Sequence, residues 1–109
     1  MILFRKMIYY NIHTHHPPTN PDEKAIISID IRNLHPLEPS FYYSAGIHPW
    51  YASEDLLNTL QTIAKQSNIV VIGEAGLDKL THTPWELQKK LFLDQIDLAE
   101  NLKKPLIIH

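Results

Sequence analysis

His13, Thr14 and His15 form the first group with chemical potential. Alternate residues of an extended strand point the same way, so the two imidazoles at this spacing can grip one metal ion. An HxH triplet alone is a weak signal, and its plainer reading is polar residues opening a loop. His16 faces away from the pair and reads as a loop residue. His48, in Gly46-Ile47-His48-Pro49-Trp50, ends an apolar run and precedes a proline, which restricts it to extended backbone. Glu74, in Gly73-Glu74-Ala75-Gly76-Leu77-Asp78, directly follows the apolar run Ile69 to Ile72. A carboxylate there can bridge two cations, one on each oxygen, or it is an ordinary acidic loop residue. Asp78 could orient a ligand, bind substrate or cap a turn. His109 follows Leu106-Ile107-Ile108 as Glu74 follows its own run. His13, His15, Glu74 and His109 thus all fall at the C-terminal ends of strand candidates, where parallel α/β folds build their binding crevices. Imidazole and carboxylate together suit zinc or manganese, and oxygen ligands admit magnesium more readily than imidazoles do.

The elements that must carry these residues alternate. Met7 to Ile12 reads as a short strand running into His13, and Pro17, Pro18, Asn20 and Pro21 then break regular structure. Ala25 to Ile31 and Phe41 to Ile47 are further strands, separated by a loop over Asn33 to Ser40 with Pro36 and Pro39. Leu56, Leu57, Leu60, Ile63 and Ala64 recur at helical spacing and predict a helix from about Glu54 to Gln66, capped by Ser53. Ile69 to Ile72 suits a strand buried on both faces. Thr83-Pro84-Trp85-Glu86 reads as a capping box with proline at the first helical position, opening a helix to about Leu102 or Lys103. Gln88 and Gln95 share a face of that helix and are placed to bond neighbouring backbone. Pro105 stops it, and Leu106 to Ile108 is another buried strand. Strand, helix, strand, helix, strand is the order of a parallel α/β unit. A last strand would keep a bare edge unless something covers it.

The chain has 109 residues and a formal net charge of -2, with no block of lysine or arginine. A protein that grips a long nucleic acid through many phosphates would usually carry one. There is no cysteine, which excludes disulfides and thiolate ligands and fits a reducing compartment. The start has neither a long apolar run nor a small-residue cleavage site, and no apolar run reaches a membrane span. The expected location is the cytoplasm. Met7 is an alternative start, with residues 1–6 as an extension. His35 reads as solvated, His82 as a residue before the helix cap without a role in the site, and Trp50, Tyr51 and Trp85 as packing residues rather than substrate-stacking ones.

The whole ordered set resembles the TatD-like metal-dependent hydrolases (DNases) of the amidohydrolase superfamily. His13 and His15 match the HxH after strand one, and Gly46 to Pro49 the G-x-H-P segment. Gly73 to Asp78 match G-E-x-G-L-D, Gln88 to Ala99 the Q-x-x-x-F-x-x-Q-x-x-L-A helix, and Pro105 to His109 the P-hydrophobic-H strand. The resemblance implies a TIM-barrel-like (β/α) fold, of which residues 1–109 are the N-terminal part of a single domain holding roughly the first four strands. It implies two divalent ions (Zn, Mn or Mg), with His13 and His15 on one, Glu74 bridging and His109 on the other. Glu74, Asp78 and His48 would serve the chemistry, Asp78 and His48 by orienting ligands or facing substrate. The implied reaction is phosphodiester hydrolysis by metal-activated water, on DNA or a small phosphodiester. Three departures stand out. Asn11 replaces the aspartate common two residues before the first histidine. The stretch from His15 to Gly46 is short, with a proline-rich segment in place of a helix. A further histidine ligand and a metal-binding aspartate of the family would lie beyond His109. A full eight-stranded barrel takes on the order of 250 residues. An inactive fragment or non-catalytic binding module, and an amidohydrolase acting on an amide or lactone, are the alternative readings.

Overall fold

The computed structural model describes residues 7–109. The possible extension at residues 1–6 lies outside the described residues. Five strands form one sheet: β1 (Tyr9–Thr14), β2 (Glu23–Ser28), β3 (Tyr42–Ala45), β4 (Ile69–Ala75) and β5 (Leu106–Ile108). They lie in sequence order and every neighbouring pair is parallel. The sheet curls into an open, incomplete half-barrel with flanking helices. Sequential parallel order is what a singly wound (β/α) barrel requires, because each crossover returns the chain to the next position. The expectation of roughly four strands is therefore met by five.

Two crossovers contain a helix and two do not. α1 (Asp55–Ile63) joins β3 to β4, and α2 (Trp85–Leu102) joins β4 to β5. The passages from β1 to β2 and from β2 to β3 are loops, as the prolines dictate. The core lies on the helix-covered side. Ile47, Leu60, Ile69, Ile72 and Leu91 are almost completely buried there, joined by Ile27, Ile31 and Tyr43. By contrast, Tyr10 and Ile12 on β1 and Tyr42 on β3 remain exposed.

Both expected helix caps are differently made. Ser53 does not cap α1; Glu54 occupies the N-cap position without a side-chain bond. At α2 the capping box does not form. Thr83 Oγ1 donates to the Trp50 carbonyl at 3.1 Å and Glu86 pairs with Lys89 at 2.8 Å, so both halves of the box are engaged elsewhere. Pro84 takes the N-cap position. The first turn gains a tertiary tie, which holds the start of α2 against the short 3-10 turn Pro49–Tyr51. At the other end Lys103 adopts a left-handed conformation, and Lys104 reaches the carbonyls of Ala64 and Gln66 that end α1. A cation there bonds the C-cap carbonyl of α1 at Ala64 and adds a second bond to the Gln66 carbonyl just beyond it.

Candidate metal centre

The strand ends place Glu74 at the middle of a ring of histidines. β4 extends beyond Ile72 through Glu74 to Ala75, longer than its apolar run. The His109 N–H donates to the Ala75 carbonyl at 2.9 Å, which sets His109 beside Glu74. Glu74 Oε2 lies 3.7 Å from His13 Nε2 and 3.9 Å from His48 Nε2, and Oε1 lies 3.9 Å from His109 Nδ1. The two oxygens therefore face different histidines. The side chains open on a cavity of about 690 Å³, which His15 also lines. The His13 and His15 rings meet edge to face with centroids 5.2 Å apart. Close packing of backbone makes this possible. A Cβ on Gly46 would lie 2.6 Å from the Gly73 backbone. Gly73 has φ +143° and would bring a Cβ within 2.5 Å of the Ile107 carbonyl oxygen, so no side chain fits there.

Two buried glutamines on α2 hold the loops that carry the site. Gln95 Oε1 accepts from the Ile47 N–H at 2.7 Å, and its amide donates to the Ile47 and Leu91 carbonyls. Gln88 Oε1 accepts from the Asp78 N–H at 2.8 Å while its amide donates to the carbonyls of Asp78 and Thr83. Seven residues apart on one helix face, they fix the residue before His48 and the residue that touches His109. The backbone-bonding role expected from their spacing is realised at both.

Hydrogen bonds decide what each imidazole can offer. Asp78 is held at a pKa of about 2, first by the Trp50 indole N–H, then by the Leu80 N–H and by His109. As a carboxylate it can only accept. His109 Nε2, 3.1 Å from Asp78 Oδ2, must then be the donor. That leaves the Nδ1 lone pair free on the side of Glu74, the tautomer of a metal-binding histidine oriented by a carboxylate. His48 is set the other way. Its Nδ1 accepts from the Trp50 N–H at 3.1 Å, so the proton of the neutral ring sits on Nε2. Burial, and next His109 nearby, push its pKa down and favour that neutral form. His13 is less supported. Its Nδ1 is buried without a partner among the described residues, while Asn11 Oδ1 accepts from the His13 backbone N–H at 3.3 Å.

The donor set fits a divalent cation. His48, Glu74 and His109 each present a ligand atom within 4.8 Å of the others, with imidazole and carboxylate chemistry that suits zinc or manganese. One plausible divalent site is therefore evident here. His48 joins it only by exchanging its bond from the Trp50 N–H for a lone pair on Nε2. Of the residues singled out in the sequence, His13, His15, His48, Glu74 and His109 line one cavity, and Asp78 touches it through His109. His16, His35 and His82 are exposed and apart. Trp50 corrects its assignment to packing: it is 61% exposed, its indole donates to Asp78 at 2.8 Å, and its ring meets His48 and His109 edge-on. Its place directly after His48-Pro49 was the available signal.

Among the described residues no helix is long and apolar enough to cross a membrane. A family model described as TatD related DNase matches residues 16–109. The 3'-5' ssDNA/RNA exonuclease TatD of Pantoea vagans is 36% identical over 90 residues, covering 78% of this chain and 35% of that protein. The uncharacterized metal-dependent hydrolase YabD of Bacillus subtilis is 38% identical over 77 residues, covering 66% of this chain and 30% of that protein. The crystal structure of YJJV, a TatD homolog from Escherichia coli, superposes with a TM-score of 0.69 at 24% identity, over 93% of this chain and 50% of that one, which shows the fold. The chain spans about a third of the length of the curated relatives it matches. His13 and His15 precede the stretch matched by the family model.

Proposed function

The chain belongs to the TatD related DNase family, and on that premise we propose that it forms the N-terminal part of one barrel domain of a divalent-metal-dependent phosphodiesterase. The observation that carries the reading is Glu74, whose two oxygens face His13 and His48 on one side and His109 on the other. Divalent ions would be held by His13, His15 and Glu74 on one side and by Glu74 and His109 on the other. A bound divalent ion supplies Lewis acidity and a water of lowered pKa. The chain's own residues do the rest. Asp78 accepts from His109 Nε2 and fixes the ring, so that Nδ1 is the nitrogen turned toward Glu74. His48 offers Nε2–H to an anionic phosphoryl oxygen, a donor placed where charge would develop. Gln88 and Gln95 hold both loops still, so that the geometry is set before substrate arrives. The substrate proposed is DNA or a small phosphodiester, in line with the nucleic-acid exonucleases among its relatives. The absence of cysteine supports a cytoplasmic setting.

The test is phosphodiesterase activity of the full-length natural polypeptide with Mn, Mg or Zn. Activity with at least one of these, lost in Glu74→Ala and in His109→Ala, is the expected result. No hydrolysis of any phosphodiester with any of the three ions would overturn the reading.

A further inference from the structure

Arg32 stands on the wall of the same cavity, in the loop that replaces a helix between β2 and β3. Its position is built rather than incidental. Asp30 Oδ1 accepts from the Arg32 backbone N–H at 2.9 Å, and the Asn33 N–H closes the turn on the Asp30 carbonyl at 3.1 Å. Ile31, between them, is 3% exposed and anchors the turn in the core. The guanidinium is then gripped twice: Nε to Asp30 Oδ1 and Nη2 to Asp30 Oδ2, both at 2.9 Å. Its Cζ lies 3.8 Å from the centre of the Tyr51 ring, which stacks at 5.9 Å on His48. Asp30 takes one edge of the fork and Tyr51 one face. Among the described residues none accepts from Nη1, so its two N–H donors, with the second N–H of Nη2, are left for a ligand in the cavity. A planar fork held in this way matches a phosphate, and it loses little freedom on binding one.

The contacts run from Arg32 to Tyr51, from Tyr51 to His48 and from His48 to Glu74, so two side chains separate the guanidinium from the carboxylate. Arg32 therefore sits one aromatic ring beyond His48, a position suited to a phosphate next to the one being cleaved. We propose that Arg32 is a specificity residue that clamps a second, non-scissile phosphate, so that the site favours substrates carrying a phosphate next to the cleaved diester. This rests on the phosphodiesterase reading above.

The experiment compares a dinucleoside monophosphate with the same dinucleotide carrying an additional terminal phosphate. Binding of each to the full-length natural protein is measured by calorimetry in chelator, so that turnover is off. Hydrolysis with the active metal is followed in parallel. Wild type should bind the phosphorylated dinucleotide about ten-fold more tightly, the scale of one charge-assisted contact. Arg32→Ala should abolish that preference and leave binding of the bare dinucleotide unchanged, and Arg32→Lys should restore part of it. Where hydrolysis occurs, the preference should appear in KM and not in kcat. A wild type without preference, or an Arg32→Ala protein that keeps it, overturns the proposal even if both dinucleotides are hydrolysed. A preference lost in Arg32→Ala without hydrolysis of either compound upholds the clamp and counts against the phosphodiesterase reading.

Discussion

The two sides of Glu74 are supported very differently. On the β5 side, His109 bonds to Asp78, Asp78 is held by Trp50 and Leu80, and its backbone is clasped by buried Gln88. Both Asp78 oxygens, the Trp50 indole N–H and the Gln88 amide have partners. On the β1 side, His13 carries a buried Nδ1 without one among the described residues, and His15 is exposed. The amide of Asn11 points to Glu23 Oε1 at 3.3 Å instead of supporting an imidazole. The covering of the sheet differs in the same sense, since α1 and α2 serve the later strands while the first two crossovers are loops. Orientation of a metal ligand comes from the groups behind it. The β4–β5 half of the cavity is thus fixed by hydrogen bonds between side chains, and the β1 half is not.

The contrast is sharpest at Asp78. Asp78→Asn leaves His109 without a carboxylate to fix its tautomer, and divalent affinity measured by calorimetry should fall about 10-fold to 100-fold. His13→Ala should cost less than Asp78→Asn in the same titration. Equal losses, or a larger one for His13→Ala, would break the comparison. The clamps come next. Gln95→Ala strands the Ile47 N–H in the core and should lower unfolding stability by about 2 kcal/mol. Gln88→Ala, which frees a half-exposed loop whose backbone can reach water, should cost less. Chemical denaturation of both variants reads the difference. The smallest effect is a pH dependence at the edge of the cavity. Arg32 holds the Asp30 carboxyl below the usual 3.8 of an aspartate. A depressed carboxylate pKa contributes stability that is present above 3.8 and lost as pH falls through the lower folded value. Carbon NMR should place the Asp30 midpoint under 3.8, and Arg32→Ala should return it toward that value.

Much of this was legible along the chain because it is periodic or local. The apolar runs marked β4 and β5 to within a few residues, and helical spacing marked α1 and α2. Glu74, His48 and His109 were found by their places after apolar runs, since a parallel sheet puts such residues at one mouth. Boundaries were less legible. β1 begins and ends two residues later than its apolar run, so His13 lies within the strand. The Thr83 capping box had the right letters, yet the Trp50 carbonyl 33 residues away took its hydroxyl. A local motif loses to a tertiary partner when the two compete for one donor.

By itself, then, the sequence determined the alternation of elements, the parallel α/β class and the residue types that gather at the strand ends. Those depend on side-chain periodicity and on backbone limits at proline and glycine, which act over a few residues. The His48 tautomer is still local, set by the Trp50 N–H two residues on. Only the tertiary structure decided which nitrogen of His109 faces Glu74, because that depends on Asp78, 31 residues away in the chain, and a tautomer is set by the hydrogen bond on the far side of the ring.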